Sequence, residues 1–275
     1  MQQLRTQKRE IDPTPFLHGC DHTLVKRPAR RTSSSAASTT TIQAQTATAI
    51  AALERVATRR ARDGMARYAI PSDRALGVPV GTVMKMGKAL APNHSLAQAL
   101  WDTGIYEARL MASFVDDPAK VTATQMDRWC REFDNWAVCD TVCFKLFDRV
   151  PHAWSKVEPW SRLPGENSRR AAFVLLACLA LHDKDAKDAA FLRTLPLIER
   201  GAADERNFVK KGINWALRAI GGRNAALNGA AIVVARRLAE SEDAAPRWVG
   251  KDALRGLTSP AMTRRLSGRR GKDGR

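Results

Sequence analysis

Residues 135–150 read NWAVCDTVCFKLFDRV. Wound at 100° per residue, Val142, Leu146, Cys139, Val150, Cys143, Trp136 and Phe147 fall on one apolar arc, the mark of a helix with one buried face. Asp140 falls at the edge of that arc, one turn after Trp136 and on the same side. A carboxylate at a core margin loses water, so its pKa rises unless a cation or hydrogen bonds keep it ionised. Bonding a neighbouring helix's backbone is an equally good use for it, and the residues leave both open.

Working outward, the same period continues from about Ala49 almost without interruption. Helical segments are separated by short breaks at Pro71-Ser72-Asp73, Asp116-Asp117-Pro118, Pro151, Pro164-Gly165, Gly221-Gly222 and Ser259-Pro260. No stretch alternates β-branched and polar residues with period two, so no sheet is expected. Many short helices with short connections predict an all-α solenoid of stacked antiparallel helix pairs rather than a four-helix bundle. Exact repeats are not visible, which counts mildly against a regular array.

The ends differ from this body. Residues 1–48 carry Pro13, Pro15 and Pro28, the run KRPARR at 26–31, and a Ser/Thr/Ala-rich stretch from Ser33 to Thr41. Such a composition buries too little apolar surface to offset ordering entropy, which predicts a disordered tail. A transit peptide is a minor alternative, disfavoured by Glu10, Asp12 and Asp21. The Arg/Gly-rich residues 267–275 are expected to fray, within a C-terminus that weakens from Arg264. The domain proper is therefore expected at 49–266.

A formal net charge of +17 over 275 residues favours a polyanionic partner, either nucleic acid or an anionic membrane surface. An Arg-rich but merely solvated surface is the plainer reading. The longest apolar stretch, Ala171 to Leu181, is too short to span a bilayer, and no apolar segment follows Met1, so a cytoplasmic protein is expected. The five cysteines, Cys20, Cys130, Cys139, Cys143 and Cys178, are odd in number and lie mostly in apolar helical segments, as reduced thiols do. Cys139 and Cys143 could share a helix face with His152 downstream, but the CxxC knuckle of a zinc site is absent, so neither metal nor cofactor is expected.

Two further stretches carry chemistry. Residues 205–220, ERNFVKKGINWALRAI, form a helix whose apolar arc holds Phe208, Val209, Ile213, Ala216, Leu217 and Ile220. Trp215 borders that arc beside Lys211, Arg218, Asn207 and Asn214. It can cover the core and still show a ring face to a ligand, or simply be a packing tryptophan capped by cations. Arg169-Arg170 open a helix that is otherwise apolar all round. Cations there oppose the helix dipole unless an anion sits beside them. A phosphate fits that need, and so does a salt bridge, Glu166 being one candidate. No phosphate loop, GxSxG elbow, HExxH or paired-carboxylate motif occurs.

At these residues the sequence resembles the AlkD-type, HEAT-repeat DNA alkylation repair family, over about Ala49 to Leu266. FDNWAVCDTVC is similar to that family's Trp-xxx-Asp segment, NFVKKGINWALRAIG to its later helix, and SRRAAF to a segment whose arginine touches DNA. MARY with the following LGVPV resembles its first helix pair, and the IER and RWVGKDALRGL segments are also similar. The resemblance implies a right-handed HEAT-like solenoid with a concave basic face for DNA. It implies Trp136, Asp140 and Trp215 as catalytic residues, and DNA contacts at Tyr68, Arg170, Lys210, Lys211, Arg218 and Lys251.

The implied activity is excision of cationic alkylpurines, N3-methyladenine and N7-methylguanine, from double-stranded DNA by a monomer that need not flip the base. Two departures bear on this: Ala137 replaces an acidic residue and Ser168 a bulky one. Relatives that bind damaged or branched DNA without excision, and a protein-binding helical scaffold, are the alternatives.

Overall fold

The computed structural model describes residues 35–270, with side chains from residue 40 to 267. Among these residues every regular element is helical: α1 (Ser35–Val56), α2 (Arg59–Asp63), α3 (Val80–Leu90), α4 (His94–Asp102), α5 (Tyr106–Val115), α6 (Ala123–Arg131), α7 (Trp136–Lys145) and α8 (Ala153–Trp160), followed by α9 (Glu166–His182), α10 (Asp188–Leu192), α11 (Leu195–Gly201), α12 (Asn207–Gly221), α13 (Ala225–Ala239), α14 (Ala244–Leu257) and α15 (Pro260–Arg270). Each break expected at a proline, glycine or aspartate pair falls between helices or at a helix end.

The helices stack in two layers. In one, α3, α5, α7, α9, α12 and α14 pack each on the next; in the other, α4 lies on α5, α8 on α9, and α13 against both α12 and α14. This is the expected all-α solenoid of paired helices. Its centre is α9, where every residue from Ala171 to Ala180 is buried. A helix apolar on all sides needs neighbours on all sides, and α7, α8 and α12 supply them. No helix among the described residues is long and apolar enough to cross a membrane.

Side-chain caps set several of the boundaries. Asn93, Thr122, Asn135 and Asn224 each accept a hydrogen bond from the backbone N–H three residues on, at 2.9–3.1 Å. Each such cap is worth about 1 kcal/mol.

Three expectations are corrected. Residues 35–48 are not tail but the first turns of α1, because Ile42, Ala49 and Leu53 recur on one side of an alanine-rich helix that packs on α4. The helix predicted over 135–150 stops at Lys145. Leu146 leaves helical geometry at φ −132°, and Phe147–Arg149 forms a single 3-10 turn that still buries Leu146, Phe147 and Val150. At the other end, α15 runs on to Arg270 instead of fraying from Arg264. Residues 1–34 and 271–275, with Cys20 and the basic run at 26–31, lie outside the described residues.

Candidate active site

Asn135 starts α7 by capping the Val138 N–H, and so puts Trp136 on the first turn and Asp140 one turn later. The two side chains go to different places. Trp136 leaves the main core for a second, smaller apolar cluster with Met65, Ile70 and Ala75, against which Tyr68 and Phe208 also pack. Its indole N–H donates to the Tyr68 carbonyl at 2.8 Å, and its ring stacks on Phe208 with centroids 6.4 Å apart. Only 5% of Trp136 remains exposed.

Asp140 turns toward α9. Arg170 donates from Nε to Asp140 Oδ1 and from Nη2 to Oδ2, both at 2.7 Å, and from Nη1 to the Phe208 carbonyl at 2.5 Å. The side chains are 1% and 6% exposed for Arg170 and Asp140. Burial is the largest influence and leaves the Asp140 carboxyl above its ordinary value, while the charge and hydrogen bonds of Arg170 offset part of that rise. A guanidinium stays protonated, so a neutral Asp140 would strand a buried cation. The pair is therefore ionic. This is the cation that a carboxylate at a core margin requires.

Arg170 is accordingly not at the surface, where a DNA-contacting arginine was expected. It holds α7, α9 and α12 together. Gly212 of α12 makes room for it, since a Cβ there would stand 3.3 Å from Arg170 Cγ. Arg169, about 100° round the same helix, faces the other way and bonds Asp204 at 2.9 Å, and Arg206 shares that carboxylate. Burial raises the Asp204 pKa, but the hydrogen bonds from Arg206 and Arg169 outweigh it and hold the group below 3.8. Glu166 meets neither arginine; it accepts the Phe208 N–H at 3.0 Å and so caps α12.

On α12, Phe208, Lys211 and Trp215 recur at helical spacing and share a side. Trp215 thus stands two turns, roughly 10 Å, along from the ring that Trp136 stacks on. It is half-buried and packs on the main core. Tyr68, Lys210, Lys211 and Arg218 are half-buried and Lys251 is exposed. Lys210 lies 5.1 Å over the Trp248 ring, and Arg218 approaches Asp252 at 3.8 Å. Asn214, expected among the cations, is buried and bonds the Val249 carbonyl of α14.

Sequence reasoning missed the joining role of Phe208, whose ring meets Trp136 while its backbone meets Arg170 and Glu166. Its placement at the start of an apolar arc did not distinguish it from a core residue. Cys139 and Cys143 point at the Asn167 and Ala171 carbonyls of α9, and burial pushes the Cys143 thiol well up, a poor state for a metal ligand.

This arrangement holds an ion-paired carboxylate in a water-poor place, one helical turn along α7 from Trp136. Such a group suits a reaction that develops positive charge.

A solved structure described as one of "a new family of proteins related to the HEAT-like repeat DNA glycosylases with affinity for branched DNA structures" is 18% identical, with a TM-score of 0.63, over 76% of this chain and 94% of that one. At that identity the likeness shows the fold, a HEAT-like helical solenoid. No curated protein matches the chain. The model of the family described as "DNA alkylation repair enzyme" matches residues 49–257, and the chain belongs to that family.

Proposed function

We propose that the protein is a monofunctional glycosylase that hydrolyses the N-glycosidic bond of cationic alkylpurines, such as N3-methyladenine and N7-methylguanine, in double-stranded DNA, without flipping the base. In the reaction the bond from C1′ to the base nitrogen breaks, its electron pair leaves with the base and neutralises it, and water oxygen bonds to C1′. The surplus proton of that water goes to solvent. The deoxyribose passes through an oxocarbenium-like state.

The observation that carries this reading is the bidentate Asp140–Arg170 pair. It keeps Asp140 an anion where solvent screening is weak, so the carboxylate is ready to stabilise a cationic sugar, and fixed dipoles and charges of this kind contribute about 3–4 kcal/mol. Trp215, half-buried, would offer a ring face to the same charge. Trp136 is too enclosed to do so and acts through position, joining α7 to Tyr68 and Phe208. Tyr68, Lys210, Lys211, Arg218 and Lys251 would meet the DNA backbone on a concave basic face. The protein would work as a monomer on cytoplasmic DNA.

A second reading, DNA binding without excision, is favoured by one feature. Both oxygens of Asp140 are occupied and its side chain is 6% exposed, so a sugar must displace protein to reach it. The solved relative's affinity for branched DNA accords with that reading.

The deciding experiment incubates the protein with N-methylated duplex DNA and identifies released bases by chromatography. Release of 7-methylguanine by the wild type, and its loss in Asp140→Asn with DNA binding retained, is the expected result. No release from methylated DNA, together with tight binding of branched DNA, would establish the second reading instead. Wild-type release by the Asn variant would remove Asp140 from its role.

A further inference from the structure

The segment from Thr58 to Val78 joins the main core only at Leu76 and Val78, yet it is held firmly. Buried Glu107 of α5 accepts three backbone N–H groups, from Leu76 at 2.9 Å, Gly77 at 2.7 Å and Val78 at 3.1 Å. Thr58 N–H donates to the Gly77 carbonyl at 2.9 Å, and Tyr106 N–H to the Arg74 carbonyl at 2.9 Å. Gly77 has φ +94°, and a Cβ there would meet the Thr58 carbonyl at 2.3 Å, so only glycine permits this contact. Met65, Ile70 and Ala75 then seat the segment on Trp136, and the Trp136 indole fastens it at Tyr68. The segment is a rigid arm fixed beside the candidate site.

Its outer surface is cationic. Arg59, Arg60, Arg62, Arg67 and Arg74 are exposed, against two acids, Asp63 and Asp73. Arg59 pairs with Asp63 at 3.4 Å. Arg67 bonds the Gly64 carbonyl and lies 5.2 Å over the Tyr68 ring. Among the described residues no carboxylate lies within ion-pair distance of Arg60, Arg62 or Arg67. Around the candidate site's other arginines the situation is the reverse: Arg170 has Asp140, Arg169 and Arg206 have Asp204, and Arg109 has Asp134. An excess of guanidinium groups on a fixed scaffold suits bidentate phosphate oxygens, because little ordering entropy is left to lose.

We propose that Arg60, Arg62 and Arg67 bind the phosphate backbone of DNA lying against the outer surface of this arm, beside the candidate site. The proposal rests on the DNA-acting reading above, but not on excision. Its test is fluorescence anisotropy of unmodified duplex DNA over a range of NaCl concentrations. Each lost phosphate contact flattens the slope of log K against log salt by about 0.9. The triple variant Arg60→Ala/Arg62→Ala/Arg67→Ala is expected to flatten it by about 2–3, with an unchanged thermal melt because the side chains are exposed. The corresponding triple lysine variant is expected to restore most of the slope.

A control variant, Arg193→Ala/Arg200→Ala/Arg236→Ala, removes equal charge from exposed positions just after α10 and on α11 and α13, and is expected to leave the slope near wild type. An unchanged slope in the arm variant, or an equal flattening in the control, would overturn the arm's role while leaving DNA binding intact. A wild type with no salt-dependent DNA binding would overturn the functional reading as well.

Discussion

Arg169 and Arg170 are neighbours on one helix, and their ion pairs differ in how far the cation is open to water. Arg170 and Asp140 are sealed between three helices of one layer, with both carboxylate oxygens and the Phe208 carbonyl engaged. Arg169, with Arg206, holds the Asp204 carboxylate from the rim: the guanidinium side chains are 29% and 35% exposed, the carboxylate 5%. Two residues of the same type thus do different work because one helical step of about 100° separates solvent from core. The inner pair sets the protonation state of the candidate site; the outer cluster ties the start of α9 to the loop before α12. A buried pair is costly to break and cheap to replace as a whole, whereas a rim cluster is worth little either way.

That contrast can be broken most forcefully at Asp140. Asp140→Ala leaves Arg170 a buried, unpaired cation and is expected to cost about 3–5 kcal/mol in urea denaturation. The double variant Asp140→Leu/Arg170→Met is expected to recover most of it. A single-variant cost below about 1 kcal/mol would show the pair to be hydrated like the outer one. Assays of Asp140→Asn therefore belong at temperatures where a melt shows the variant folded.

A smaller effect is expected from Arg170→Lys, which keeps the charge but loses the fork that serves Asp140 and Phe208 together. Loss of hydrogen bonds to a charged group predicts about 2 kcal/mol. Stability equal to wild type would mean that charge alone matters there.

The smallest change is expected at the rim. Asp204→Asn should cost about 1 kcal/mol at neutral pH, discounted for the exposure of its partners. Because the native Asp204 pKa lies below its unfolded value of 3.8, its stabilisation is present above that value and is lost as pH falls through the native one. The wild type should therefore lose its advantage over Asp204→Asn in acid melts below about pH 4. A gap between the two that persists there would refute the rim assignment.

Much of this was legible from the residues. The apolar arc of 135–150 named Val142, Cys139, Cys143, Leu146, Phe147 and Val150, all of which are buried, and the proline and glycine breaks fell between helices or at their ends. Residues 35–48 of the expected tail were misjudged because Ser, Thr and Ala suit a disordered chain and a helix equally well. Only Ile42, Ala49 and Leu53, docked on α4, separate the two. At the site, the edge position of Asp140 called for a cation, and nothing local said which one.

What the sequence by itself determined is periodic: which residues are helical, which faces are apolar, and that the chain carries a large positive excess. Those properties repeat every 3.6 residues and need no partner to be read. What only the tertiary structure decided is pairing. It chose Arg170 for Asp140, gave Arg169 to Asp204, closed Trp136 under a basic arm, and made Phe208 the joint between α7 and α12. Each choice spans at least 30 residues of sequence and depends on how helix faces are turned when the layers stack.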